Sequence, residues 1–405
     1  MEFFQKQIRE IQDDAALRFY GAFISLCHVF SAIYWIRRRF FKDLAATGDP
    51  YCWPFFEDCF KYRFFSETEV YYIFIGFAVL GGIGSALFLF RRLCPMAYWW
   101  QVGLNVIKTV IYVQDFRLRM NQHYMLYFAS LVFLFLPHKR DLGRYLLVFI
   151  YFGASLLKYN AEWTSGAALY GDPLFVPKHL IPASCVYVVI LESFLVWGML
   201  FKNRWVYWAT FGQLILFHVV SWPLVGFFYP MLMFALLAIF PLTRFIEKDN
   251  GPSSLAGSFF RFKQPPAVYA VLSCFLFLQF IPQMFPGDSK ITCEGRLFAL
   301  HMFDARVFCQ GNITLKFTDG AVKQLPIPTQ KEPVRISCDP LVHFSRARRQ
   351  CWLNRDNPNF LDLDLKYSAR RGHQKSMNPL VDIADFCGQD LHYSMFRPNG
   401  WIIKK

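Results

Sequence analysis

Val70–Phe90 reads VYYIFIGFAVLGGIGSALFLF, a run without a single charged residue. An α-helix of about 20 such residues crosses the ~30 Å hydrocarbon core of a bilayer. Working outward, comparable apolar stretches occupy Tyr20–Ile36, Met96–Val113, His123–Pro137 and Leu142–Lys158. Ile181–Phe201, Trp205–Ser221, Leu224–Leu242 and Ala267–Phe285 follow. The reading is a polytopic α-helical membrane bundle of eight or nine spans, the count turning on the break at Trp222-Pro223. Composition agrees: of 405 residues 55% are hydrophobic and 18% charged, against about 25% charged in an average soluble domain.

The first 17 residues are too polar for the core of a signal peptide. Phe3, Phe4, Ile8, Ile11 and Ala15 recur at helical spacing among charges. Segment 1–17 is therefore expected to form an amphipathic helix, on the membrane surface or capping the bundle. The net charge of +14 does not imply nucleic acid, because the basic residues punctuate the spans. Arg91-Arg92, Lys139-Arg140, Lys202/Arg204 and Arg244/Lys248/Arg261/Lys263 occupy alternate loops. The positive-inside rule puts those loops in the cytoplasm and, with nine spans, the C-terminal region outside. Arg37-Arg38-Arg39 argues the other way and is outvoted.

After residue 286 the bundle (18–286) gives way to a polar, strand-like region, 287–405. Asn312–Phe317 (NITLKF) alternates and runs into Thr318-Asp319-Gly320, a hairpin-turn signal. Phe360–Tyr367 alternates as well. The expectation is a small, mainly β extramembrane domain on the outer mouth of the bundle. Cys52 and Cys59 in the first outer loop, and Cys293, Cys309, Cys338, Cys351 and Cys387 in the tail, are placed where disulfides form. Five tail cysteines leave at least one outside any pairing within the tail. None has CxxC spacing, so no metal site is expected. Asn312-Ile313-Thr314 is a glycosylation sequon in a eukaryotic host.

Ionisable residues inside spans are costly and mark either pairing or function. They are Lys108, Lys158, Glu192 and His218, with His123 at the start of a span. Lys108 and Glu192 are expected to neutralise each other, and His218 to be a hydrogen-bonded core histidine. Lys158, at the outer end of its helix, has Glu162 four residues on as a natural partner. The sharper reading makes Lys158 a base: an amine in an apolar pocket loses its proton more readily, and a site closed to water protects reactive carbanions.

Tyr151–Gly166 (YFGASLLKYNAEWTSG) resembles the catalytic-lysine stretch of the vitamin K-dependent γ-glutamyl carboxylase family, within the wider group carrying a horizontally transferred transmembrane (HTTM) domain. The resemblance places Lys158 at the active base and Glu162, Trp163 and Gly166 at the acidic-Trp pair and glycine that follow it. Asn121-Gln122-His123-Tyr124 resembles a second family stretch, whose histidine supports epoxidation of the vitamin. Phe217-His218 resembles a third. Gly295–Gly320 resembles the start of the family's luminal domain, with Arg306 at an arginine that contacts the substrate glutamate. Asp364–Ile383 resembles a later part of it. Two departures stand out: this chain ends at Lys405, several hundred residues short of the vertebrate-type enzyme, and Asp304 stands where the family has a histidine.

The resemblance implies a coupled reaction. A base deprotonates vitamin K hydroquinone, O2 adds, and the strong base that results removes a γ-proton from a glutamate in a protein or peptide substrate. CO2 then gives γ-carboxyglutamate, alongside vitamin K epoxide. Lys158 would start the chemistry, with His123 and His218 as further catalytic groups. Arg306, Glu162 and Trp163 would hold substrate, and Asn121, Gln122 and Tyr124 would line the cofactor site. The implied location is the endoplasmic reticulum or a bacterial inner membrane. The alternatives are an HTTM-type membrane enzyme with other quinone or lipid-linked chemistry, and a non-catalytic transporter or structural membrane protein.

Overall fold

The computed structural model describes residues 2–169, 171–246, 266–300, 305–327 and 335–404. Helices α1 (Glu2–Asp13), α2 (Ala15–Arg37), α3 (Glu67–Leu89) and α4 (Cys94–Val113) come first. Next are α5 (Asn121–Phe135), α6 (Lys139–Leu156), α7 (Ile181–Ser193) and α8 (Arg204–Val220). The bundle closes with α9 (Phe228–Phe245, bent at Ala238) and α10 (Pro266–Phe280).

Among the described residues, four segments are long and apolar enough to cross a membrane: Ala15–Arg37, Glu67–Leu89, Lys178–Leu200 (α7 with its flanking turns) and Phe228–Phe245. By length and composition the count of eight or nine is not supported. The reasons are local. Helices α5 and α8 have 15 and 17 residues. Gln101, Asn105 and Lys108 interrupt α4, and α6 opens on Lys139, Arg140, Asp141 and Arg144. Tyr269–Met284 is apolar but short. The break near Trp222-Pro223 is real: Gly226, at φ 76°, separates α8 from α9.

Helix α1 packs against the bundle, as the capping expectation has it. Ile11 and Gln7 are buried. Glu10 accepts from the Lys139 backbone N–H at 2.7 Å, and Arg91 and Arg140 reach Asp13 and Asp14 at 2.7 and 2.5 Å. Arg244 donates to the Lys202 carbonyl at 2.7 Å and lines one small cleft with Arg144. The residues Lys248, Arg261 and Lys263 lie outside the described residues.

The C-terminal region is a four-stranded antiparallel sheet, ordered β2-β1-β3-β4. Its strands are β1 (Val307–Phe317), β2 (Val322–Ile327), β3 (Phe360–Arg371) and β4 (Asn378–Ile383). The expected hairpin forms, with Gly320 at φ 82° in the turn. Helix α11 (Pro340–Asn354) was not anticipated, because its arginines mask the pattern. Leu341, Phe344 and Ala347 recur at three-residue spacing and are buried on the sheet side of the domain's core. Cysteine pairs Cys309–Cys338 and Cys351–Cys387 tie α11 and its approach to the strands, and Cys52–Cys59 closes the first loop. Cys293 stays outside these pairs, as the odd count requires.

That first loop fixes the sheet to the bundle. Cys52 donates its N–H to Ser345 at 2.8 Å, Arg349 meets Asp49 at 2.8 Å, and Arg348 meets Glu57 at 2.7 Å. Trp53 and Phe116, from loops of the bundle, belong to the sheet domain's apolar core.

Candidate active site

Lys158 sits just past the end of α6, in a turn closed by its own N–H on the Ser155 carbonyl at 2.8 Å. Asn160 then caps the short helix Ala161–Thr164, accepting from the Trp163 N–H at 3.0 Å. This reversal turns Lys158 back into the bundle while Glu162 and Trp163 follow above it. Gly166 ends the motif at φ 80°, and a Cβ there would stand 2.6 Å from Ile181 Cγ2. Only glycine meets both demands.

The Lys158 side chain is 2% exposed and donates to Glu192 Oε2 of α7, itself 2% exposed. Trp163 and Phe217 place their rings 5.1 and 5.9 Å from Nζ, within cation–π range. Trp163 is held in turn by its indole N–H on the Cys185 carbonyl at 2.9 Å. Next to this pair, Tyr151 Oη lies 2.6 Å from His218 Nε2. His218 Nδ1 is buried with no partner among the described residues. Tyr229 and Phe234 pack on the same imidazole at 5.8 and 6.0 Å.

Two expected pairings are therefore corrected. Glu192 does not neutralise Lys108; it neutralises Lys158. Glu162 does not pair with Lys158 either, because the turn at 157–160 breaks the helical register on which an i,i+4 contact depends. Glu162 instead faces the sheet domain. Arg371 Nη2 lies 3.1 Å from its Oε2, and His373 Nδ1 bonds its Oε1. Arg371 also reaches Asp288 at 3.2 Å. Burial pushes the Glu162 carboxyl up, but the hydrogen bonds from Arg371 and His373 outweigh it and hold the group below its usual value.

Arg306 lies at the same end of the sheet. Its carbonyl accepts from the Gly372 N–H at 2.7 Å, between Arg371 and His373, and its guanidinium lies 5.1 Å over the Phe308 ring. Asp304 falls outside the described residues.

His123 does not join Lys158. Its Nδ1 is 3.2 Å from Ser31 Oγ, and its ring packs on Tyr34 and Trp35 of α2. Neither its hydrogen bond nor these ring contacts involve Lys158 or His218. Nor do the four residues Asn121, Gln122, His123 and Tyr124 form one surface. Neighbours on a helix point about 100° apart, so Tyr124 turns to Phe128 and Arg119 while His123 turns to α2. Gln122 Nε2 lies 3.7 Å from Met120 Sδ. Sequence reasoning missed Tyr151 as the partner of His218, though it opens the Lys158 motif and lies seven residues, two helical turns, before the lysine. No group of three or more His, Cys, Asp or Glu side chains suited to a metal occurs among the described residues. No family model, curated protein or solved structure matches the chain.

Proposed function

We propose that the chain is a multi-pass membrane enzyme whose Lys158–Glu192 pair serves as a base toward a membrane-soluble acid. The reaction that best fits is vitamin K hydroquinone-dependent γ-carboxylation of glutamate. The observation that carries the proposal is a lysine hydrogen-bonded to a carboxylate inside an aromatic, buried part of the bundle.

A buried ion pair is weak support for stability in itself, since desolvation offsets most of its attraction. It is well suited to moving a proton. If the proton between them passes to Glu192, Lys158 is a neutral amine, next to two aromatic faces, that can take up a proton from a substrate. A reduced naphthoquinone bound here would supply, with O2, the strong base needed to take a glutamate γ-proton so that CO2 can add. The chain's own groups fit such a ring: Trp163 and Phe217 offer faces, and His218 Nδ1 offers an uncommitted polar atom. When Tyr151 donates to His218 Nε2, the Nδ1–H can hold an oxygen of the substrate.

The sheet domain sits over this mouth through Glu162, Arg371 and His373, with Arg306 on the same edge. In this reading it lies on the extracytoplasmic side, and the shorter, more polar helices cross the membrane within the shelter of the four apolar ones. Arg306 would meet the substrate carboxylate.

The test uses the purified protein in detergent with reduced vitamin K, a glutamate-containing peptide and labelled bicarbonate. Label in the peptide that disappears in Lys158→Ala supports the carboxylase. Epoxide without peptide label points to the HTTM-type alternative. A folded protein with neither activity removes both enzyme readings and leaves a transporter or structural role.

A further inference from the structure

A second polar centre lies inside the bundle where α2, α4 and α5 meet, and the Lys158–Glu192 proposal does not use it. Lys108 of α4 is completely buried and its Nζ has no partner among the described residues. Among the described residues no carboxylate acts on it; the titratable groups that bear on it are Cys27, His28 and His123. Buried atoms His28 Nδ1, Trp35 Nε1, Asn105 Oδ1 and His123 Nε2 of the same three helices also lack partners among the described residues, as does Ser130 Oγ of α5 seven residues beyond His123.

The hydrogen bonds around them fix which atoms donate. Ser25 donates to Gln101 Oε1 at 2.6 Å, so the Gln101 amide NH2 faces His28 Nε2 at 2.9 Å and donates to it. His28 therefore carries its proton on the uncommitted Nδ1. Ser31 spends its one proton on the Cys27 carbonyl at 2.9 Å, so its oxygen accepts from His123 Nδ1 at 3.2 Å. His123 Nε2 is left as a bare lone pair. The uncommitted set is thus three donors (Lys108, His28 and Trp35) and two acceptors (His123 and Asn105). Unsatisfied polar atoms at this density in an apolar interior cost too much to be idle.

The chain itself shows what an intramembrane lysine takes: Lys158 has the carboxylate of Glu192. Lys108 has every surrounding donor and no acid. We propose that this centre binds the carboxyl group of a long-chain monocarboxylic acid. A carboxyl group accepts from Trp35, His28 and Lys108 and, while protonated, donates to His123. Transfer of its proton to Nζ gives a carboxylate–ammonium pair of zero net charge, with nothing else gained or lost. The rest of the ligand is apolar, because Lys108, His28, His123 and Trp35 are all 0% exposed and only a molecule soluble among the helices reaches them. The inference does not depend on the reading of the Lys158 centre.

The probe is radiolabelled oleic acid, equilibrated with delipidated full-length protein in detergent, with acetate and methyl oleate as competitors. One oleate per chain is expected, displaced by neither competitor. Lys108→Met should weaken binding about tenfold or more, the scale of losing a charge-assisted contact. Trp35→Phe keeps the shape and removes one donor, so it should weaken binding several-fold even if Lys108→Met fails to fold. Lys158→Met/Glu192→Leu should bind oleate as the parent does. Absence of stoichiometric binding, equal competition by methyl oleate or by acetate, or undiminished binding in folded Lys108→Met or Trp35→Phe would each overturn the proposal.

Discussion

Lys158 Nζ donates to Glu192 Oε2 between the end of α6 and the C-terminal end of α7, with both side chains sealed from solvent. Removing one partner strands the other as a lone buried charge, which costs about 3–5 kcal/mol. Lys158→Met and Glu192→Gln should each lower the thermal unfolding temperature in detergent. Lys158→Met/Glu192→Leu should recover most of the loss, since apolar groups of similar volume replace both charges. Equal destabilisation by the single and double changes would show that the two residues are not coupled.

Glycine is required at 166 and dispensable at 171. A Cβ at Gly166 combines a φ of 80° with a 2.6 Å approach to Ile181, whereas the nearest atom at Gly171 is Leu224 Cδ2 at 3.7 Å. Gly166→Ala should cost about 2–3 kcal/mol and Gly171→Ala no more than ~0.5 kcal/mol, read from unfolding midpoints. Adding Ile181→Ala to Gly166→Ala should relieve the steric part and leave the backbone part.

Glu162 holds the sheet domain to the mouth of the bundle. Its carboxyl stays below the usual value under the combined effect of burial, Arg371 and His373. A depressed acid contributes docking that is full above its unfolded value, about 4.3, and is lost as pH falls through the lower folded one. Hydrogen exchange at the end of β3 and the Gly372-His373 turn should therefore quicken, beyond the intrinsic pH effect, only in acid. Glu162→Gln should show the fast exchange at neutral pH already.

Asp339 gives the opposite sign. Burial pushes its carboxyl up to about 7, with the Leu341 N–H, Arg296 and Arg119 pulling the other way. A raised acid contributes stability that is complete below about 3.9 and is lost as pH rises through the folded value. Asp339→Asn keeps an oxygen to cap α11, where Leu341 N–H now donates at 2.9 Å. It should match the parent near pH 4 and exceed it by up to about 4 kcal/mol near pH 8. A constant difference across that range would assign the effect to the cap instead.

Much of this architecture was legible in the residues. Apolar runs marked the helices, and alternation with Thr318-Asp319-Gly320 marked the β1–β2 hairpin. The span count was not, because length and hydropathy cannot rank helices such as α4 and α6, whose polar residues face other helices. The identity of the site was half legible. Glu192, a lone carboxylate in an apolar stretch, had to pair with something, but sequence spacing says nothing of partners 34 residues away. Local spacing favoured Glu162 for Lys158, and one turn at 157–160 undid it. His123 was grouped with Lys158 by likeness of motif, whereas helix geometry sends it to α2 and Lys108.

The most direct test of the base is vitamin K epoxide formation by the folded Lys158→Met/Glu192→Leu protein, measured beside the parent with reduced vitamin K and O2. The expected result is epoxide from the parent and none above background from the variant, with unfolding temperatures that agree closely. Undiminished epoxide from a variant lacking both residues would contradict the assignment of the Lys158–Glu192 pair as the base.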